Sequence, residues 1–375
     1  MTLRVIVCYT GGVGRELVRQ LLRNPSFELV GVLVHSEDKD GRDVGEMVGT
    51  GPIGLEATRD IGALTALGAD VMSWHGLKWE PEIIARFLRA GTSVYSGIGG
   101  WYLPSQPEHR MLQEAAEQGG AALVAGGNIP GLISDVLPLF CSGYSSNIRM
   151  VRAAQRNYIP HYPSAIQMGQ YLGIGQPLPD AQFDPSAAPS EVDRLWTWGI
   201  AQSAALVAQG LGVVMDELRL TNKEFGASKA DMVLQPSGLA VAKGTIAGVR
   251  WTFTAFSEGK PFYELVNEQT TRLDIGSGWR DSEDAPNWRV VIEGSPTIQC
   301  ELGLVTDPNE PDHVAALNAA RALNFLPRIA AAAPGWRSVL DLPAPVGGLI
   351  LEACSARGGV GRVNACSGSL STAAP

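Results

Sequence analysis

Cysteine is sparse in this 375-residue chain, and Cys8, Cys141, Cys300, Cys354 and Cys366 share no C-x-x-C spacing and are odd in number. That pattern excludes a disulfide-stapled fold and predicts reduced thiols, with Cys8 a small buried hydrophobe inside an apolar run. Histidine is as scarce: His35, His75, His109, His161 and His313 never pair at i, i+3 or i+4, so no metal is expected. No apolar run approaches the roughly 20 residues that a membrane span needs. The chain also enters its first strand without a signal peptide, which predicts a cytoplasmic protein. Basic charge is in deficit, 29 Lys and Arg against 38 Asp and Glu for a net of -9. Such a surface attracts neither nucleic acid nor an anionic membrane. A nucleophile elbow, a Walker loop and internal repeats are missing too. A soluble enzyme acting on a small molecule remains.

What is present begins at residue 4. Arg4 to Tyr9 reads as a buried strand, Thr10-Gly11-Gly12-Val13-Gly14 as a tight turn, and Arg15 to Leu22 as a helix with one apolar face. A strand, a glycine turn and a helix form a phosphate site, because glycine admits the pyrophosphate and the helix start offers free N–H groups. Tyr9 stands where the first glycine of G-x-G-x-x-G is expected, so the fingerprint is partial. Phe27 to Val34 supplies the second strand at βαβ distance. Beyond it an acidic residue would bind ribose hydroxyls and favour NAD; His35, Ser36, Lys39 and Arg42 stand there instead, which favours NADP(H) and leaves NAD(H) possible.

Strands at 69–73, 92–95 and 121–125 alternate with helices at 80–88 and 106–118. Alternation at this spacing predicts an α/β fold with a Rossmann-type doubly wound parallel sheet over residues 1–135. Ligands bind beyond the carboxyl ends of such strands. His75, Gly97 and Asn128, which follow strands three, four and five, join Thr10 to Gly14 as cofactor-binding candidates. From 136 to 312 the pattern changes to a helix at 195–211 and six strand-like runs, a second α+β domain. A helix with an apolar face at 313–325 opens a further segment, 313–345, and 346–375 reads as a mobile tail rich in glycine, serine and alanine.

A family likeness rests on Thr10 to Gly14, Lys39 to Gly45, Asn128 to Gly131, Trp288 to Pro296, Asn324 to Pro327, Ala333 to Gly335 and Asp341 to Pro343. In this order they resemble the group containing 2,4-diaminopentanoate dehydrogenase and the native amine dehydrogenases, whose N-terminal domain is similar to dihydrodipicolinate reductase. The likeness runs from about residue 3 to residue 345. It implies that 136–312 is a substrate and dimerisation domain, that the helix of 313–345 returns to the first domain, that the reaction is NAD(P)H-linked reduction at a carbon bearing oxygen or nitrogen, and that the assembly is a homodimer. It also implies a catalytic glutamate just after the fourth strand. Gly97 to Pro104, the equivalent stretch, contains no carboxylate, and Glu108 is the nearest.

Proton chemistry must then come from elsewhere. Tyr102 can polarise a carbonyl, Glu108 can act as acid or base at a helix start, and His161 lies in the aromatic stretch 157–163. Two have a plainer alternative: Tyr102 as a pocket wall together with Trp101, and Glu108 as a helix-dipole partner. Trp101, Tyr158, Met168 and Tyr171 are the expected substrate-pocket walls. The expected activity is an NAD(P)H-dependent oxidoreductase reducing a C=O or C=N group of an apolar small molecule. Reductive amination with ammonia and a cofactor-binding protein without catalysis are the alternatives.

Overall fold

A computed structural model describes residues 2–305 and 313–348. The tail beyond 348, with Cys354 and Cys366, lies outside the described residues.

The first sheet is built as the sequence pattern requires. β1 (Leu3–Cys8) runs into α1 (Gly12–Arg23), whose Leu17, Val18 and Leu21 are buried on one face. β2 (Phe27–Leu33), α2 (Val44–Val48), α3 (Ile61–Thr65), β3 (Val71–Trp74), α4 (Pro81–Arg89), β4 (Ser93–Ser96), α5 (His109–Gly119) and β5 (Ala122–Ala125) follow. β3 and β4 are buried along their whole length, as a sheet covered on both faces demands.

An irregular helical turn, Asn128–Val136, and α6 (Leu137–Ser142) lead into the second sheet. Its elements are β6 (Ser146–Tyr158), α7 (Glu191–Leu211), β7 (Glu217–Ala227), the small hairpin β8 (Met232–Val233) with β9 (Ala240–Val241), β10 (Ile246–Ser257), β11 (Lys260–Thr270), β12 (Trp288–Ser295) and β13 (Ile298–Leu302). The six long strands order as β13-β12-β6-β11-β10-β7, with only β6 and β11 parallel. α7 starts on a capping box in which Ser190 and Asp193 bond reciprocally, and covers one face of this sheet.

The chain then returns. α8 (His313–Ala330) lies beside α1, with Ala319, Ala322, Phe325 and Leu326 in the first sheet's core. A strand absent from the sequence reading, β14 (Gly335–Arg337), pairs in parallel with β5. The first sheet is thus six parallel strands ordered β2-β1-β3-β4-β5-β14. Three residues are too short a run for an alternation pattern to reveal. Among the described residues no helix is long and apolar enough to cross a membrane.

Candidate functional site at the carboxyl edge of the parallel sheet

The glycine turn is shaped for a close approach. A Cβ on Gly14 would lie 1.9 Å from the Tyr9 carbonyl oxygen, so only glycine permits α1 to sit this close to β1. A Cβ on Gly11 would meet nothing within 4 Å, and Gly11 and Gly12 face solvent. No partner among the described residues accepts from the backbone N–H groups of Gly12, Val13 and Gly14, and no side chain caps α1. Open space and three free donors at a helix start are what a pyrophosphate needs.

Tyr9 takes the left-handed backbone conformation, φ +72°, that the missing first glycine would have supplied. Its ring packs edge-on against Trp74 at 4.9 Å, and its hydroxyl donates to Glu80 at 3.2 Å. Burial and the Glu80 carboxylate push the phenol's pKa up. The side chain is thereby drawn over the end of β3 and leaves the turn open.

Of the second-strand candidates, Lys39 donates to Thr10 Oγ1 at 3.4 Å, which ties the loop to the phosphate turn. His35 and Arg42 are exposed and Ser36 is half-buried beside them. Ser36 lowers the Asp38 carboxyl's pKa by hydrogen bonding to it. Arg59, which sequence reasoning passed over, joins this rim through a 3.0 Å pair with Glu37.

His75 follows β3, its Nε2 2.8 Å from Ser73 Oγ. Burial depresses its pKa to about 4, so it is a neutral hydrogen-bonding group at physiological pH. A Cβ on Gly97 would come within 3.1 Å of the His75 ring, so the glycine after β4 makes room for the histidine after β3.

The loop after β4 carries the largest departure from the family pattern. Gly99 and Gly100 both sit at φ +76°, and Trp79 lies over them, so that a Cβ on Gly99 would be 2.3 Å from the indole. Trp79 donates through Nε1 to Glu108. The indole therefore fills the space a side chain at 99 or 100 would take and also engages the nearest carboxylate. Tyr102 anchors the loop rather than standing free: its amide donates to Gln202 of α7 at 3.1 Å, and its ring meets Trp336 at 5.6 Å. Trp101 is buried against Trp198 at 5.4 Å.

The remaining pocket candidates do not converge with this loop. His161 is exposed and Tyr171 is half exposed. Met168 is wholly buried in a satellite core with Ile174, Leu234 and Ile246. Burial and Glu283 raise the Tyr158 pKa, with Arg272 and Asp274 also close, on the sheet face opposite α7.

Asp135 beyond β5 was missed, as were Gln155, Asn267 and Gln269 of the second sheet. Asp135, buried, accepts from Ser203 at 2.7 Å and lines a small cavity of about 10 Å3 with Trp101, Gly126 and Arg321. Burial lifts its carboxyl to about 6, opposed by Ser203 and by Arg321. Asn128, a sequence candidate, donates to Gln155 of β6 at 2.7 Å and so joins the two sheets. Gln155 follows Val151 and Ala153 at one parity of β6, and Asn267 and Gln269 follow Tyr263 and Leu265 at one parity of β11, so buried polar residues interrupt apolar rows. That break in alternation was the available signal. A cavity of about 910 Å3 lies elsewhere, between segment 178–190 and β7.

Comparison with known proteins gives a consistent picture. Residues 132–354 match the model of the 2,4-diaminopentanoate dehydrogenase C-terminal domain, and residues 3–73 that of the dihydrodipicolinate reductase N-terminus. The chain is 30% identical to an amine dehydrogenase of Streptomyces virginiae over 355 residues, covering 90% of this chain and 95% of that one. It is 23% identical to the 2,4-diaminopentanoate dehydrogenase of Acetoanaerobium sticklandii, covering 91% and 94%. The solved amine dehydrogenase of Mycobacterium smegmatis shares the fold, with a TM-score of 0.72 at 18% identity over 92% of this chain and 97% of that one.

Proposed function

The chain belongs to the 2,4-diaminopentanoate dehydrogenase family, which includes the amine dehydrogenases, and from that premise we propose how its site works. It is an NAD(P)-dependent oxidoreductase with a nicotinamide cofactor. The observation that carries the reading is the open turn at Gly11 and Gly12 with its free amides, which fits a pyrophosphate and nothing in the protein itself. Bound there, the cofactor supplies a hydride. The chain's own residues hold it: Thr10 to Gly14 at the phosphates, Lys39, Ser36 and Arg42 at the adenosine end, and His75, Gly97 and Asn128 toward the nicotinamide. Lysine and arginine at the adenosine end support preference for NADP(H), with NAD(H) accepted.

The substrate in this reading is a small, fairly apolar molecule with a C=O or C=N group. The space over Gly99 and Gly100 belongs to Trp79, so no carboxylate activates ammonia from that loop. Among Tyr102, Glu108 and His161 as acid or base, Glu108 needs Trp79 to release it, and Tyr102 acts from its place beside Trp336. A second reading, reductive amination, is favoured by the 30% identity to an amine dehydrogenase. A homodimer in the cytoplasm completes the proposal.

A turnover screen with NADPH and NADH over ketones and imines, with and without ammonium, tests it. Turnover of imines or ketones without ammonium supports the first reading, and strict ammonium dependence selects the second. Cofactor binding with no turnover across the panel marks a binding protein instead.

A further inference from the structure

One indole fixes the orientation of every carboxamide at the seam between the sheets. Trp288 Nε1 can only donate. It lies 3.0 Å from Gln155 Oε1, which identifies that atom as the oxygen. The same oxygen accepts from Asn128 Nδ2 at 2.7 Å, which turns Asn128 Oδ1 away. Gln155 Nε2 donates in turn to Asn267 Oδ1 at 3.3 Å, and Gln269 Nε2 donates to that oxygen at 2.8 Å. Asn267 Nδ2 is therefore also turned away.

The chain of amides ends in one acceptor, Asn128 Oδ1, and one donor, Asn267 Nδ2. Neither has a partner among the described residues, although the side chains are only 7% and 0% exposed. Leaving such groups buried and unpaired is costly, and native folds keep few of them. Their position gives a reason: Asn128 stands just past the carboxyl end of β5, the edge at which parallel α/β sheets bind their ligands, and its amide reaches Gln155 of the second sheet.

We propose that Asn128 Oδ1 and Asn267 Nδ2 bind the reacting end of a neutral substrate that offers an N–H or O–H to the first and a lone pair to the second. A free-base amine, an imine N–H, a hemiaminal or a primary carboxamide has that pairing. A carboxylate meets the Asn128 oxygen with its own oxygen, and an ammonium leaves Asn267 unpaired. Both asparagines are uncharged and do not titrate, so they select for neutrality and position without moving a proton. The inference rests on the reading of this edge as a nicotinamide site.

The test uses the full-length protein saturated with NADPH. It is titrated calorimetrically with 2-methylpropanamide, with 2-methylpropanoate and with protonated isopropylamine, which share a branched shape and do not react with the reduced cofactor. The carboxamide is expected to bind at least about tenfold more tightly than the carboxylate, the scale of one satisfied hydrogen bond. In Asn267→Asp, which keeps the oxygen that Gln155 and Gln269 use, the carboxamide should weaken about tenfold and the ammonium should gain, with NADPH affinity unchanged. Equal binding of carboxamide and carboxylate, or no carboxamide binding, overturns the proposal. So does weakened NADPH binding in the variant, which would give the pair to the cofactor's own carboxamide. If the variant does not fold, the three-ligand series on the natural protein decides alone. Absence of NADPH and NADH binding overturns the underlying reading as well, and is seen before any amide is added.

Discussion

Two glycine turns on the same edge of the same sheet use glycine for opposite ends. At Gly11 and Gly12 the missing side chains leave open space and free amides. At Gly99 and Gly100 the missing side chains are replaced by the ring of Trp79, drawn in from the β3 to α4 connection. In the first turn glycine leaves the space open; in the second it makes room for the protein itself. Gly97 to Pro104 contains no carboxylate, and the space over its glycines is filled by an indole that also holds Glu108.

The contrast can be broken at four points. The largest effect is expected for Gly14→Ala, whose Cβ cannot coexist with the Tyr9 carbonyl. α1 must move off β1, and cofactor affinity should fall by about a hundredfold or more, read by NADPH fluorescence beside a circular dichroism melt. Gly99→Ala meets both a left-handed backbone and Trp79, so a loss of roughly 2–4 kcal/mol in denaturant unfolding is expected. Adding Trp79→Ala should recover the packing part of that loss and leave the backbone part. If Gly99→Ala costs nothing, the indole does not fill that space.

Asp135 gives a pH-dependent effect of similar size. Its carboxyl stands at about 6 in the fold against 3.8 in the unfolded chain. The stability this raised pKa contributes is full below about 4 and is lost as pH climbs through about 6, because the unfolded chain gives up the proton first. Asp135→Asn removes that loss. Its melting advantage over the natural protein should open between pH 4 and 6, level off above, and amount to on the order of 3 kcal/mol. A constant difference across that window would contradict the buried carboxyl. The smallest effect belongs to Lys39→Ala, which should weaken NADPH about tenfold and NADH much less, with the difference shrinking at high salt.

The first sheet was legible because its information is local. Strand 1, the glycine turn and α1 lie within about 20 consecutive residues, and their apolar spacing and turn chemistry agree. The glycine turn was legible as a turn for the same reason, even with Tyr9 in a glycine's place. The substrate side was not, because it is made by pairings across long stretches of chain. Gln155 meets Asn267 112 residues away, and Tyr102 meets Gln202 100 residues away. Trp79 over Gly99 is invisible to any pattern that reads one element at a time. The aromatic density of 157–171 pointed to a pocket, yet Met168 went to a satellite core and His161 to the surface. Composition reports what a segment can bury, not which neighbour buries it.

The decisive measurement is a titration of NADPH and NADH into the natural protein and Gly11→Ala, with melting temperatures recorded for both. Alanine at Gly11 touches nothing in the fold and sits at φ -72°, so it should change stability by under about 1 kcal/mol. If the open turn is the pyrophosphate site, the added methyl enters the ligand's space and cofactor affinity falls at least about tenfold while the melt is nearly unmoved. Equal cofactor affinity in the two proteins, or no binding in either, would contradict the assignment of the turn.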